Sequence, residues 1–89
     1  MRTIRRTTEF KRDIKRLLRS GKDIEKLLGI VKVIVEGRKL PSECHDHSLG
    51  GKYKNMRDCH IESDWILIYA IEDDEIVLYR TGSHPQLFR

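Results

Sequence analysis

Eighty-nine residues make a single domain, 1–89, and at 38% hydrophobic and 36% charged the composition is that of a folded chain rather than a disordered one. No apolar run approaches the roughly 20 residues that span a bilayer, and the basic start Met1-Arg2-Thr3-Ile4-Arg5-Arg6 lacks the apolar stretch of a signal peptide. Two cysteines, Cys44 and Cys59, are too few for a disulfide scaffold, so the expectation is a cytoplasmic protein with free thiols and no membrane partner. The net charge of +4 is uneven: residues 1–39 hold 13 Lys or Arg against 5 Asp or Glu, and residues 40–89 hold 5 against 9. A basic half suits an acidic partner, nucleic acid or protein, although a charged run by itself is more often a solvated helix face.

In chain order, residues 2–7 alternate loosely and predict a short strand. Thr8 reads as a helix N-cap, whose hydroxyl accepts from the first free N–H groups. Phe10, Ile14, Leu17 and Leu18 follow at helical spacing, leaving Lys11, Arg12, Lys15, Arg16 and Arg19 largely outside, until Ser20-Gly21 stops the helix. A second helix is predicted from about Asp23 to Glu36, with Ile24, Leu27, Leu28, Val31, Ile34 and Val35 on one stripe and Gly37 as its C-cap. The short link implies an antiparallel helical hairpin. Leu40 to Lys52 reads as a loop, and three β-type runs follow: Tyr53–Ile61, Trp65–Ile71 and Ile76–Thr81. The middle run is apolar on both faces and is expected at the centre of the sheet. Tight polar connections at 62–64 and 72–75 imply an antiparallel meander. The expected fold class is α+β, a helical hairpin packed on a small antiparallel sheet.

The four histidines, His45, His47, His60 and His84, all lie in the C-terminal half, near loops or strand ends, where side chains are displayed by a rigid scaffold. Histidine is the side chain best matched to proton transfer near neutral pH. Three of them, with a carboxylate such as Asp64 and an arginine such as Arg80, suit RNA strand cleavage. That reaction takes a base for the 2′-OH proton, an acid for the leaving 5′-oxygen and positive charge at the phosphate. Zinc is the competing use of the same residues with Cys44 and Cys59, but no pair has the spacing of a structural site, so no metal is expected. Satisfied polar residues at loop ends would explain any one histidine; four with Asp64 and Arg80 are less well explained that way.

Asp46-His47-Ser48-Leu49-Gly50-Gly51-Lys52-Tyr53-Lys54, then Arg57-Asp58-Cys59-His60-Ile61, then Asp64-Trp65-Ile66-Leu67-Ile68-Tyr69, and finally Arg80-Thr81-Gly82-Ser83-His84 with Leu87-Phe88, resemble the YafQ branch of the RelE-type toxins across nearly the whole chain. The resemblance implies a RelE-like fold and a toxin that cuts translated mRNA in the ribosomal A site without a cofactor. It also implies a cognate antitoxin, with DNA met only through the toxin–antitoxin complex. Carried over by position, His47, His60, Asp64 and His84 are the implied catalytic set, while Trp65, Arg80 and Phe88, with Lys52 and Arg57, are implied to meet the substrate. His45 has no counterpart. His84 is the candidate general acid and His60 or His47 the candidate base, with Asp64 orienting a histidine or itself acting as base.

The chain departs from many RelE-type relatives in two places. Ile66 stands where an arginine often follows the Asp-aromatic pair, and Phe88 stands near the place of a terminal tyrosine. Both fit acid–base work carried by histidines. Arg57 and Asp58 point to opposite sides of their strand, so one of them at most faces the site; Arg57 reads as structural or phosphate-contacting. Lys11, Arg12, Lys15, Arg16 and Arg19 suit rRNA phosphates or an acidic antitoxin segment. The alternatives are a gyrase-poisoning toxin of the related ParE type, which has no need of a histidine cluster, and a catalytically silent binding module.

Overall fold

A computed structural model describes residues 2–44 and 46–88. The chain begins with strand β1 (Thr3–Arg6) and the helices α1 (Thr8–Arg19) and α2 (Ile24–Val35). After a single 3-10 turn at Ser42–Cys44 come the two-residue strand β2 (His47–Ser48) and a second 3-10 turn at Gly51–Tyr53. The strands β3 (Arg57–Glu62), β4 (Trp65–Glu72) and β5 (Glu75–Gly82) lead to the one-turn helix α3 (His84–Leu87). No helix among the described residues is long and apolar enough to cross a membrane.

The helical hairpin forms as the periodicity dictates. Thr7, one residue before the predicted cap, is the N-cap of α1: its Oγ1 accepts from the Phe10 N–H at 3.0 Å and donates to the Tyr79 carbonyl at 2.8 Å. The second bond explains the shift, because it ties the cap to β5 as well as to its own helix. Asp23 caps α2 by accepting from the Glu25 N–H. Gly21 and Gly37, at φ 84° and 72°, take the left-handed turns that follow each helix.

The five strands run in the order β1-β5-β4-β3-β2. The β3–β4–β5 meander is antiparallel, with β4 in the middle. β1, however, pairs parallel to β5, Thr3 with Glu75 through Arg6 with Leu78. The sheet is therefore mixed, not purely antiparallel. A four-residue strand shows no pattern that separates the two pairings; its direction is set by where the helical hairpin must pack.

The two sheet faces are covered unequally. On one, α1 and α2 place Phe10, Leu17, Leu27, Val31 and Ile34 against Trp65, Leu67, Tyr69, Ile76, Leu78 and Cys59. On the other, a smaller cluster of Tyr53, Ile66, Ile68 and Leu87 is backed by Leu49, Met56 and Tyr79, all drawn from the sheet, the loop before β3 and α3. No long helix lies over this second face, and the polar residues of β3 open onto it.

Candidate active site

Asp58 is the centre of the site. It stands in the middle of β3 beside Cys59, and alternation sends the two to opposite faces: Cys59 into the helix-side core, Asp58 and His60 to the open face. β2 adds His47 directly opposite Asp58 in register, where antiparallel side chains meet. His47 Nε2 lies 3.9 Å from Asp58 Oδ2, and His60 Nε2 lies 3.9 Å from Oδ1. The Asp58 side chain is only 2% exposed, and its Oδ1 accepts no hydrogen bond among the described residues. A buried carboxylate so placed costs stability and favours cationic or donating neighbours.

His84 is brought in by α3. Ser83 caps this turn in a reciprocal box with Gln86, each side chain bonded to the other's backbone N–H. One donor atom each from Asp58, His60 and His84 lies within 4.8 Å of the other two. A carboxylate and two imidazoles are a competent set for a transition-metal ion, a grouping that spacing along the chain had not revealed.

Aromatic rings extend the site sideways. The His60 and His84 rings are 5.5 Å apart, His84 and Phe88 5.5 Å, and Phe88 meets Tyr53 edge-on at 5.4 Å. Tyr53, missed in the sequence, is fixed by its hydroxyl, which donates to the Leu87 carbonyl at 2.9 Å. Beyond it, a pocket of about 310 Å³ is lined by Glu9, Lys52, Tyr53, Met56, Tyr79 and Arg80. Lys52 Nζ sits 5.1 Å over the Tyr53 ring, and Arg80 is held by Asp13 of α1 through Nε at 2.7 Å and Nη2 at 3.0 Å.

His47, His60, His84, Phe88, Lys52 and Arg80 thus share the open face or its edge, while other expected site residues lie elsewhere. Trp65 is fully buried on the helix side, its Nε1 donating to Thr81 Oγ1 at 2.8 Å, with Lys22 Nζ 5.8 Å from its ring. It is a core residue and does not line the site: alternation along β4 places it with Leu67 and Tyr69 on the helix side, opposite Ile66 and Ile68. Arg57 faces away from Asp58, donating to Asp46 at 2.8 Å, and Tyr69 donates to the other oxygen of Asp46 at 2.7 Å. Asp46 in turn raises the Arg57 pKa, chiefly by that hydrogen bond. The pair anchors the segment before His47. Asp64 stands exposed in the turn between β3 and β4, away from the buried position that Asp58 holds. His45 lies outside the described residues. Lys11, Arg12, Lys15 and Arg19 are exposed on α1. Arg16, by contrast, is drawn inward, donating to Asp13 at 2.9 Å and to the Thr81 carbonyl and Gln86 Oε1 at 3.3 Å.

Residues 2–89 match the family model described as the bacterial toxin of type II toxin–antitoxin systems, YafQ. The chain is 36% identical to the mRNA interferase toxin YafQ of Escherichia coli K12 over 98% of its own length and 96% of that protein. Its structure is similar to that of YafQ in the E. coli DinJ–YafQ complex, with TM-score 0.92, 36% identity and all of both chains covered. It is likewise similar to a copper-bound mutant toxin from Helicobacter pylori, with TM-score 0.94, 36% identity and coverage of 99% of this chain and 100% of that one.

Proposed function

Because the chain belongs to the YafQ family of type II toxin–antitoxin toxins and is an mRNA interferase, we propose that it cleaves translated mRNA in the ribosomal A site by acid–base catalysis on His47, His60 and His84, with Asp58 as the carboxylate at their centre and Asp64 at the edge of the site. The observation that carries this reading is the gathering of three imidazoles around one buried carboxylate, beside a row of aromatic rings. The 2′-OH of the nucleotide 5′ to the cut attacks the phosphate. His60 or His47 takes its proton, held in orientation by Asp58, and His84 on α3 returns a proton to the leaving 5′-oxygen. The orienting role first assigned to Asp64 passes to Asp58. Asp64, at the exposed end of the same hairpin, meets the substrate at the rim. Phe88, exposed and braced edge-on by the buried Tyr53, stacks a base, as aromatic faces do without reading sequence, and Lys52 and Arg80 hold phosphate.

A transition-metal ion, as in the copper-bound toxin of H. pylori, would take Asp58, His60 and His84 and supply Lewis-acid polarisation. It would also occupy the imidazole nitrogens that move protons here. The open, shallow site fits a substrate positioned by the ribosome, and exposed Lys11, Arg12, Lys15 and Arg19 suit rRNA phosphates or an acidic antitoxin segment. The antitoxin partner is a counterpart of the DinJ that E. coli YafQ is complexed with, DNA is reached only through that complex, and the toxin acts in the cytoplasm, where translation occurs.

The test is induced expression followed by primer extension on a cellular transcript. Codon-phased cuts that vanish when translation is blocked are expected, and His84→Ala should abolish them while antitoxin binding persists. Cuts that persist without translation would sink the ribosome-dependent reading, and full growth arrest by His84→Ala would sink the catalytic one.

A further inference from the structure

β1 runs beside β5 only as far as Leu78, and the edge of β5 beyond that point is completed by helix α1. The Thr81 N–H donates to Asp13 Oδ2 at 3.1 Å, and the Thr81 carbonyl accepts from Arg16 Nη2 at 3.3 Å. Two side chains of one helix turn thus do what a neighbouring strand would do. A register shift between Ile68 and Tyr69 lets Tyr79 bulge out, so that Leu78 and Arg80 pair with successive residues of β4, and it aims Arg80 at the same Asp13. Asp13 is 1% exposed and accepts four bonds in all, from Arg80 Nε and Nη2, the Thr81 N–H and Arg16 Nη1.

Such a buried anion is not needed for the apolar core, which already fills the space between helices and sheet. Simple structural pairing of one arginine would also not call for both carboxylate oxygens, a backbone N–H and a second arginine. A bidentate clamp on Nε and Nη2 fixes the plane of the Arg80 guanidinium. Of its five N–H donors, two are given to Asp13. The fixed plane stands in the wall of the pocket shared with Lys52 and Tyr53. Asp13 and Glu9 are opposed by Arg80, Arg16 and the Lys52 of the same pocket, so the site keeps a net positive charge and still attracts phosphate.

We infer that Asp13, on a helix that carries none of the imidazoles, is a positioning residue for the cleavage reaction: it fixes Arg80 so that the remaining guanidinium donors meet a substrate phosphate in the pocket shared with Lys52 and Tyr53. Arg16 extends the same support to His84, since Gln86 Oε1 accepts both from Arg16 and from the Ser83 N–H that begins α3. Gly82 allows this close approach, because a Cβ there would lie 2.7 Å from Gln86 Oε1 and 2.8 Å from Arg16 Nη2.

The inference rests on the proposed phosphate role of Arg80, and a double-mutant cycle separates the two. Cleavage of mRNA on programmed ribosomes is measured as kcat and KM for the wild type, Asp13→Asn, Arg80→Ala and the double variant, each corrected for the fraction folded from its urea melt. Asp13→Asn is expected to lower kcat about tenfold or more, the scale of a misplaced contact group, with little change in KM. In the Arg80→Ala background the same substitution should change kcat less than about twofold, since coupled residues are non-additive. An equal loss in both backgrounds would overturn the positioning role. A full rate in Arg80→Ala would instead remove Arg80 from the reaction. Should Asp13→Asn fail to fold, Arg80→Lys decides: its ammonium cannot span both Asp13 oxygens, so a tenfold fall is expected, and a full rate overturns the inference.

Discussion

The two faces of the sheet are built from the same three strands, yet one is a packed interior and the other a workplace. Toward the helices, Trp65, Leu67 and Tyr69 of β4 meet Phe10, Leu27 and Ile34, and the indole N–H of Trp65 donates to Thr81 Oγ1. Toward the open side, the intervening residues Ile66 and Ile68 form a thin apolar floor, and the neighbouring strand sets a buried carboxylate with one unsatisfied oxygen beside them. Stability resides on one side and chemical readiness on the other. A domain of this size can expose a reactive cluster because the opposite face holds the fold together.

Substitutions on each side test that division. The largest effect is expected for Trp65→Ala, which opens a cavity in the helix-side core and should cost about 3–5 kcal/mol in a urea melt. The fraction that remains folded should still cleave, and a folded but inactive variant would return Trp65 to the substrate. Asp58→Asn should do the reverse. A fall of about 100-fold in cleavage, worth about 2.7 kcal/mol, is expected with little change in stability, because the imidazoles stand 3.9 Å from the Asp58 oxygens, beyond hydrogen-bond reach. If Asp64→Asn costs more activity than Asp58→Asn, the orienting role goes back to Asp64.

Acid offers a third probe. Burial pushes the Asp13 carboxyl upward, but the bonds from Arg80, the Thr81 N–H and Arg16 outweigh it and hold its pKa below the ordinary carboxylate value. The contribution of a carboxyl depressed in this way is complete above its unfolded pKa of about 3.9 and disappears as pH falls through the native value. Stability should therefore drop on acidification from about pH 5 downward, and less steeply in Asp13→Asn; identical slopes for the two proteins would contradict the assignment. The smallest effect belongs to Arg57→Ala. Its pair with Asp46 is partly exposed, 42% on the arginine side, and is worth at most about 1 kcal/mol. Cleavage should stay within about twofold in the same ribosome assay, and a tenfold loss would break the separation of the two faces.

The helices were legible because their apolar residues recur at a period that no strand shares, and β4 because its run is apolar on both sides. The place of Asp58 was missed in the sequence, although its signal was there: two residues before His60 on one strand, it shares the face of His60, whereas Arg57, the residue expected at the site, points the other way. The side taken by Trp65 was not legible, since β4 is apolar on both faces and alternation, which groups Trp65 with Leu67 and Tyr69, does not tell which face the helices cover. The parallel pairing of β1 was equally hidden, because its partner lies some 70 residues away and four residues carry no directional signal. The α3 turn had its signal in Ser83 and Gln86, spaced as a capping box ahead of Leu87, and with it the placement of His84.

The pairing of β1 with β5 has a consequence for the birth of the protein. Thr3 meets Glu75, and Asp13 meets Arg80, so the first elements synthesised find their partners only when the last strand has been made. Contacts that distant in sequence close late and slowly. While its own message is being read, the growing chain holds a helical hairpin with no sheet to pack on and imidazoles with no common centre. His84, on the last helix, joins Asp58 and His60 only after β5 has been made.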